Sequence, residues 1–295
     1  MPPRTAVRVT TPTTKGVDSV GRLDGKVAFI TGAARGQGRN HALRFAQEGA
    51  DIIAIDACKS IETVPYDGPG LGDLESLVDE VEALGRRIVA QQADVRDLAA
   101  LHAVVARGVE TLGRLDIILA NAGIVSYGEL IELDETTFQT MIDVNLTGVW
   151  KTIRAGAPEI VKGGKGGAIV MTSSTAGLRA LHTLGHYVAA KHGVVGLARN
   201  LANELAPHKI RVNAIAPTNV NTVMLKNPGV YKMFRPDLEE PTEVDAYAGF
   251  VEHHLIKEPW IEMDDVSEAL LWLVSDSGRY VTGITLSVDL GLLAK

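Results

Sequence analysis

The stretch Lys26-Val-Ala-Phe-Ile-Thr31-Gly32-Ala-Ala-Arg35-Gly36-Gln37-Gly38 runs from an apolar segment straight into a cluster of glycines. Residues 26–31 have the length and continuous apolar character of a strand buried on both faces. The glycines make a tight turn, and residues 38–48 read as a helix. A strand, a glycine turn and a helix in that order open a βαβ unit. Working outward, the same alternation recurs. Strands are predicted at 51–56, 87–93, 115–120, 167–172, 210–215 and 284–288. Helices are predicted at 74–84, 98–112, 136–160, 186–205 and 264–274. The pattern predicts an α/β protein: a Rossmann-type, doubly wound, three-layer sandwich with a mostly parallel seven-stranded sheet.

The 295 residues fit one large domain, and a hydrophobic content of 46% is ample for its core. We expect residues 1–22, rich in Thr, Pro and Val without periodicity, to form a flexible arm, and 23–295 to form a single dinucleotide-binding catalytic domain. Two stretches exceed ordinary loop length. Residues 59–72 contain Pro65, Gly68, Pro69 and Gly70, and 218–263 carry Pro228, Pro236, Pro241 and Pro259. Such loops are usually lids or binding loops, so a substrate lid is expected at about 218–263. A net charge of −7 and the lack of a basic cluster argue against a nucleic-acid partner. No run of about 18 apolar residues indicates a membrane span. With Cys58 the only cysteine, internal disulfides and cysteine-built zinc sites are excluded, which fits a cytoplasmic location.

A glycine turn between a strand and a helix suits a dinucleotide. The backbone can approach the pyrophosphate, and the helix N-terminus favours its charge. The spacing is Gly-x-x-x-Gly-x-Gly rather than the commoner Gly-x-Gly-x-x-Gly. Asp56, ending the second strand, stands where a carboxylate would accept from the adenosine ribose hydroxyls and repel a 2′-phosphate. That favours NAD over NADP, while Arg35 and Lys59 pull the other way as cations able to neutralise such a phosphate.

Tyr187 and Lys191 are four residues apart, so on a helix they share one face. A phenol ordinarily titrates near pH 10, and a neighbouring ammonium pulls that value down. Reaching neutrality takes roughly 4 kcal/mol, at about 1.36 kcal/mol per unit. Ser174, in Val170-Met-Thr-Ser-Ser174, could hold a substrate oxygen beside the phenol. Each feature also has an ordinary structural reading. Asn145 could bond inside its helix, Asn121 could shape a turn, and Asp94 could cap the helix after it.

Taken together and in order, Thr31-Gly32-x-x-x-Gly36-x-Gly38, Asp94-Val95, Asn121-Ala122-Gly123, Asn145, Ser174, Tyr187-x-x-x-Lys191 and Pro217 resemble the short-chain dehydrogenase/reductase family. The resemblance covers residues 23 to 290 and implies a homotetramer. It implies that Tyr187 is the general acid/base, that Lys191 lowers its pKa and binds the nicotinamide ribose, and that Ser174 bonds the substrate oxygen. Asn145 would hold the water of a proton relay to Lys191. Gly32, Arg35, Gly36, Gln37 and Gly38 would cradle the cofactor, with Asp56 and Ala57 at the adenosine ribose. Asp94 would bond the adenine amino group beside Val95, and Asn121, Ala122 and Gly123 would pass close to the ribose. Pro217, Thr218, Val220 and Thr222 would border the nicotinamide, Thr222 at its carboxamide. The chain departs from the family at Ala120, which often is Asn, and at Thr218, which usually is Gly.

The insertion after the second strand, Pro217-Thr-Asn-Val-Asn-Thr222 and Arg279-Tyr-Val-Thr-Gly283 further resemble the mycofactocin-coupled, carveol-dehydrogenase-like subgroup. This implies a tightly held NAD whose hydride passes to mycofactocin, with residues 59–72 folded over the adenosine half. Apolar residues in the lid, among them Met224, Met233, Phe234 and Phe250, suit a hydrophobic, terpenoid or cyclic alcohol or ketone. His182 and His186 could line the pocket or serve structure, and His253-His254 lacks a carboxylate to complete a metal site. The competing readings are an NADPH-dependent carbonyl reductase and a cofactor-binding sensor or scaffold without turnover.

Overall fold

A computed structural model describes residues 21–295. The expected arm lies outside the described residues except at its end. There Arg22 pairs with Glu48 at 2.7 Å and Glu268 at 2.9 Å.

Seven strands form one sheet: β1 (Val27–Thr31), β2 (Asp51–Asp56), β3 (Ile88–Gln92), β4 (Ile117–Ala120), β5 (Gly167–Thr172), β6 (Ile210–Pro217) and β7 (Thr285–Val288). Their order is β3-β2-β1-β4-β5-β6-β7, and every pairing is parallel. The expected doubly wound sheet is therefore present. Strand residues alternate between two cores because successive side chains leave opposite faces. Ala28, Ile30, Ile52 and Ala54 pack against α1 (Gly36–Gln47), α2 (Leu71–Ala83) and α9 (Met263–Val274). Phe29, Ile53, Ile55 and Ile118 face α3 (Leu98–Leu112), α5 (Gly148–Gly163) and α6 (Gly185–Leu205). Both faces are covered, so the central strands read as continuous apolar runs rather than alternating ones.

Strand order reverses between β1 and β4, and the carboxyl ends of these strands open into a crevice. That is where ligands bind in sheets of this kind.

The structure corrects four predicted stretches. The helix at 136–160 is broken: α4 (Glu135–Ile142) runs into a π-helical turn (Asp143–Thr147) before α5. The helix after the glycine turn begins at Gly36, and the one predicted at 74–84 begins at Leu71, inside the expected loop. The stretch 218–263 carries two further helices, α7 (Pro228–Phe234) and α8 (Glu243–His253). Both have caps written in the sequence. Asn227 caps α7 ahead of Pro228, and Thr242 with Asp245 forms a capping box for α8. Among the described residues no helix is long and apolar enough to cross a membrane, and no cluster of three metal-ligating side chains occurs.

Candidate active site

The turn after β1 is built to admit a ligand. Gly32 and Gly36 have φ of +69° and +55°, backbone that side-chain-bearing residues rarely adopt. A Cβ on Gly38 would lie 2.0 Å from the Gly32 carbonyl oxygen. Nothing larger than glycine fits there, and α1 therefore starts hard against the turn. No side chain caps α1, and its first turn carries no acidic residue. Its leading N–H groups remain open to an anion.

Asp56 ends β2 beside this turn. Its Oδ2 accepts from the Ala34 N–H at 3.1 Å and its Oδ1 from the Cys58 N–H at 3.0 Å. Burial raises its pKa, opposed by those backbone donors. The two cations that could have served a phosphate here are engaged elsewhere. Lys59 lies 3.1 Å from Asp94, which Arg96 also grips at 2.7 Å, holding that carboxyl well below the usual range despite desolvation. Arg35 donates to the Asp67 carbonyl and lies over the Tyr66 ring, 5.6 Å from its centroid.

Asn121 ties β4 to the glycine turn. Its N–H donates to Thr31 Oγ1 at 3.1 Å, and its Nδ2 donates to the Thr31 carbonyl at 3.1 Å. The π turn aims Asn145 back at the same loop. Asn145 is fully buried; its Oδ1 accepts from the Ile124 N–H at 3.1 Å and its Nδ2 donates to the Ile124 carbonyl at 3.0 Å. A continuous α-helix would rotate this side chain elsewhere, and such bulges often mark functional positions. A Cβ on Gly123 would lie 2.8 Å from Asn145 Oδ1 and 3.5 Å from Lys191 Nζ. Glycine at 123 is what leaves space between these two groups.

Tyr187 and Lys191 lie one turn apart on α6, as their spacing predicts. Lys191 is buried, and its Nζ donates to the Thr172 carbonyl at 2.8 Å and sits 5.5 Å from the Tyr187 ring centroid. The expected depression of the phenol by this ammonium is corrected. Burial pushes the Tyr187 phenol up to about 12, only partly countered by a hydrogen bond from Ser174, and pulls Lys191 down to about 8. Desolvation wins because it disfavours the charge on both groups. Tyr187 borders the cleft while its hydroxyl sits among buried groups. Ser174 Oγ accepts from the Ala176 N–H at 3.1 Å, and its one O–H donates to the Tyr187 phenol.

The cleft unites the predicted residues. Gly32, Arg35, Gly36, Gln37, Gly38, Asp56, Ala57, Asp94, Val95, Asn121, Ala122, Gly123, Asn145, Ser174, Tyr187, Lys191, Pro217, Thr218, Val220 and Thr222 all border it. Thr218 Oγ1 bonds His254 Nε2 at 2.8 Å, and His254 Nδ1 reaches the Glu258 carbonyl at 2.8 Å. With both ring nitrogens engaged, His254 anchors α8 and is not free to bind a metal. His186 turns away from the cleft toward Ser126, 2.8 Å from Nε2, and His182 meets Glu129 at the surface. Residues 59–70 reach further than the adenosine half: Tyr66 Oη accepts from the Val125 N–H at 3.2 Å, close to Tyr187. Sequence reasoning missed Tyr66 and Tyr127, which both line the cleft, because no local pattern distinguishes them.

Comparison with known proteins agrees with this geometry. The family model described as short chain dehydrogenase matches residues 26–229. This chain belongs to the short-chain dehydrogenase family. It is accordingly an oxidoreductase of the kind that moves a hydride between a CH–OH group and a nicotinamide cofactor. It is 50% identical over 275 residues to (−)-trans-carveol dehydrogenase of Rhodococcus erythropolis, covering 93% of this chain and 99% of that relative. Among solved structures, carveol dehydrogenase from Mycobacterium avium in complex with NAD is 54% identical, with a TM-score of 0.92 over 93% of this chain and 100% of that one. A short chain dehydrogenase from Mycobacterium paratuberculosis bound to NAD is 43% identical, with a TM-score of 0.86 and the same coverage.

Proposed function

We propose that the protein oxidises a hydrophobic, cyclic or terpenoid secondary alcohol to a ketone with NAD, and that Tyr187 is the general base. The observation that carries this reading is the convergence of Ser174, Tyr187 and Lys191 in the cleft that the glycine turn opens. The residues present fit the cofactor. The Gly32–Gly38 cradle, closed to any Cβ at Gly38, and the uncapped start of α1 suit a pyrophosphate. Asp56 would take the adenosine ribose hydroxyls, Asp94 and Val95 the adenine, and Lys191 the nicotinamide ribose. Thr222 would meet the carboxamide. NAD is favoured over NADP because Asp56 faces the ribose position while Lys59 and Arg35 are engaged by Asp94 and Asp67.

Bound NAD⁺ supplies the hydride acceptor and a positive charge near the phenol. With substrate in place, Ser174 turns its O–H from Tyr187 Oη to the substrate oxygen and orients the hydroxyl toward Tyr187 Oη. Tyr187 takes the hydroxyl proton as the C–H bond breaks. Lys191 keeps one N–H on the Thr172 carbonyl and has two left for the ribose and for a water in the space beside Gly123. Asn145 shapes that space and offers the second lone pair of its Oδ1 to the same water. Apolar side chains of the segment at 218–263, including Met224, Met233 and Phe234, would hold the hydrocarbon part.

The likeness to carveol dehydrogenases and the insertion over the cleft support the finer reading of a retained NAD reoxidised by mycofactocin. Residues 23–295 would act as a single domain in a cytoplasmic homotetramer, a reading that exposed Trp150, Trp272 and Tyr280 support. The test is Tyr187→Phe, assayed with an artificial electron acceptor, with the bound nucleotide identified by mass spectrometry. We expect kcat/KM to fall about 10²- to 10⁴-fold with NAD still bound. Retained activity would overturn the assignment.

A further inference from the structure

Three phenols meet in the cleft, and the proposed chemistry uses one. Tyr66 comes from the insertion after β2, Tyr127 from the segment after β4, and Tyr187 from α6. They are near enough that charge on Tyr187 raises the pKa of both Tyr66 and Tyr127. Tyr66 is fixed by the Arg35 guanidinium over its ring and by the Val125 N–H, which donates to its oxygen. Tyr127 is fixed by the start of α7. Asn227 Nδ2 approaches its oxygen at 3.5 Å, and a Cβ on Gly229 would lie 2.5 Å from its ring. In both cases the phenol oxygen accepts, and among the described residues neither O–H finds an acceptor in the protein. A phenol has one proton to donate, and both protons remain available to the cavity. Apart from His253, the lid side chains around this end are apolar, with Met224, Leu225, Met233 and Phe234 among them.

Resting on the alcohol-dehydrogenase reading above, we propose that Tyr66 and Tyr127 are substrate-positioning donors, and that the preferred substrate is a cyclic alcohol bearing a second acceptor oxygen. That oxygen, a carbonyl or ether, accepts hydrogen bonds from the Tyr66 and Tyr127 hydroxyls while Ser174 and Tyr187 hold the reacting hydroxyl. An apolar ring with a single oxygen covers the two half-buried O–H groups and leaves them without acceptors. A site built to bond a polar group discriminates strongly against the analogue that lacks it. The insertion is then a wall of the substrate pocket as well as a strap across the cofactor, and Arg35 joins the two roles.

The test compares 4-hydroxycyclohexanone with cyclohexanol as substrates of the NAD-loaded enzyme, using an artificial electron acceptor. In parallel, calorimetry compares binding of cyclohexane-1,4-dione and cyclohexanone, which needs no turnover. Wild type should favour the dioxygenated member of each pair by about tenfold or more. Tyr66→Phe and Tyr127→Phe should each shrink that ratio about 3- to 10-fold, the range for one neutral hydrogen bond. A wild-type ratio near one in the binding pair overturns the proposal. So does a Phe variant that weakens both members alike or releases NAD with the ratio intact, since either outcome makes the tyrosine structural. Absence of turnover with both alcohols, alongside a binding preference that the Phe variants erase, would sink the oxidation reading and leave this one standing.

Discussion

Replacing Asn145 with alanine tests whether the π turn exists to hold the loop after β4. The side chain is fully buried and bonds both the N–H and the carbonyl of Ile124, at 3.1 and 3.0 Å. Alanine strips both partners at once. Each abandoned backbone group costs about 1–3 kcal/mol, so the loss should be about 2–6 kcal/mol, toward the lower end if cleft water reaches Ile124. For a chain of this size about 1 kcal/mol moves Tm by roughly 2–4 °C, which predicts a fall of roughly 4–24 °C. Because Ile124 follows Gly123, the loop should shift toward Lys191 and kcat should fall with it. Differential scanning calorimetry with and without added NAD, together with kcat on an alcohol, gives the readout. A Tm within about 2 °C of wild type would refute the reasoning. Asn145 would then be a solvent-relay residue with no structural duty.

Three further outcomes are expected. Gly38→Ala places a Cβ 2.0 Å from the Gly32 carbonyl oxygen, so isothermal titration should show NAD binding weakened at least tenfold, and unaltered affinity would contradict the cradle. His41 is fully buried against Ser267, and burial lowers its pKa to about 3 from 6.5. Since only the unfolded chain binds this proton between those values, stability rises with pH through that window and is lost as pH falls below 6.5. Between pH 7 and 4.5 that group should cost about 2–3 kcal/mol in urea unfolding, a loss that His41→Gln should lack. Asp56→Ser removes a carboxylate from the ribose end of the cleft, and the NAD-to-NADP ratio of kcat/KM should drop about tenfold or more. An unchanged ratio would separate Asp56 from cofactor choice.

The legible parts of the site were those bound to a local period. Tyr187 and Lys191 share a helix face by spacing alone, and the glycines at 32, 36 and 38 stand between a strand and a helix in plain view. Asn145 was legible as a residue but its setting was not. The break of 136–160 into α4, a π turn and α5 has no proline to announce it and follows from what Asn145 bonds across the cleft. The caps of α7 and α8 were present as Asn227-Pro228 and Thr242-x-x-Asp245, yet prolines around them made the stretch read as loop. The electrostatics were hidden. A helix wheel puts an ammonium beside a phenol, whereas the folded chain buries both and drives their pKa values toward neutral forms.

By itself the sequence determined the layers of this protein, the direction of its sheet and the face of α6 that carries Tyr187 and Lys191. These follow from hydrophobic period and turn chemistry within a dozen residues. Only the tertiary structure decided which distant groups meet. It engaged Lys59 with Asp94 and Arg35 with Asp67, and it carried Tyr66 and Tyr127 to Tyr187 across separations of more than fifty residues. Packing and desolvation act between elements, and no local pattern along the chain encodes them.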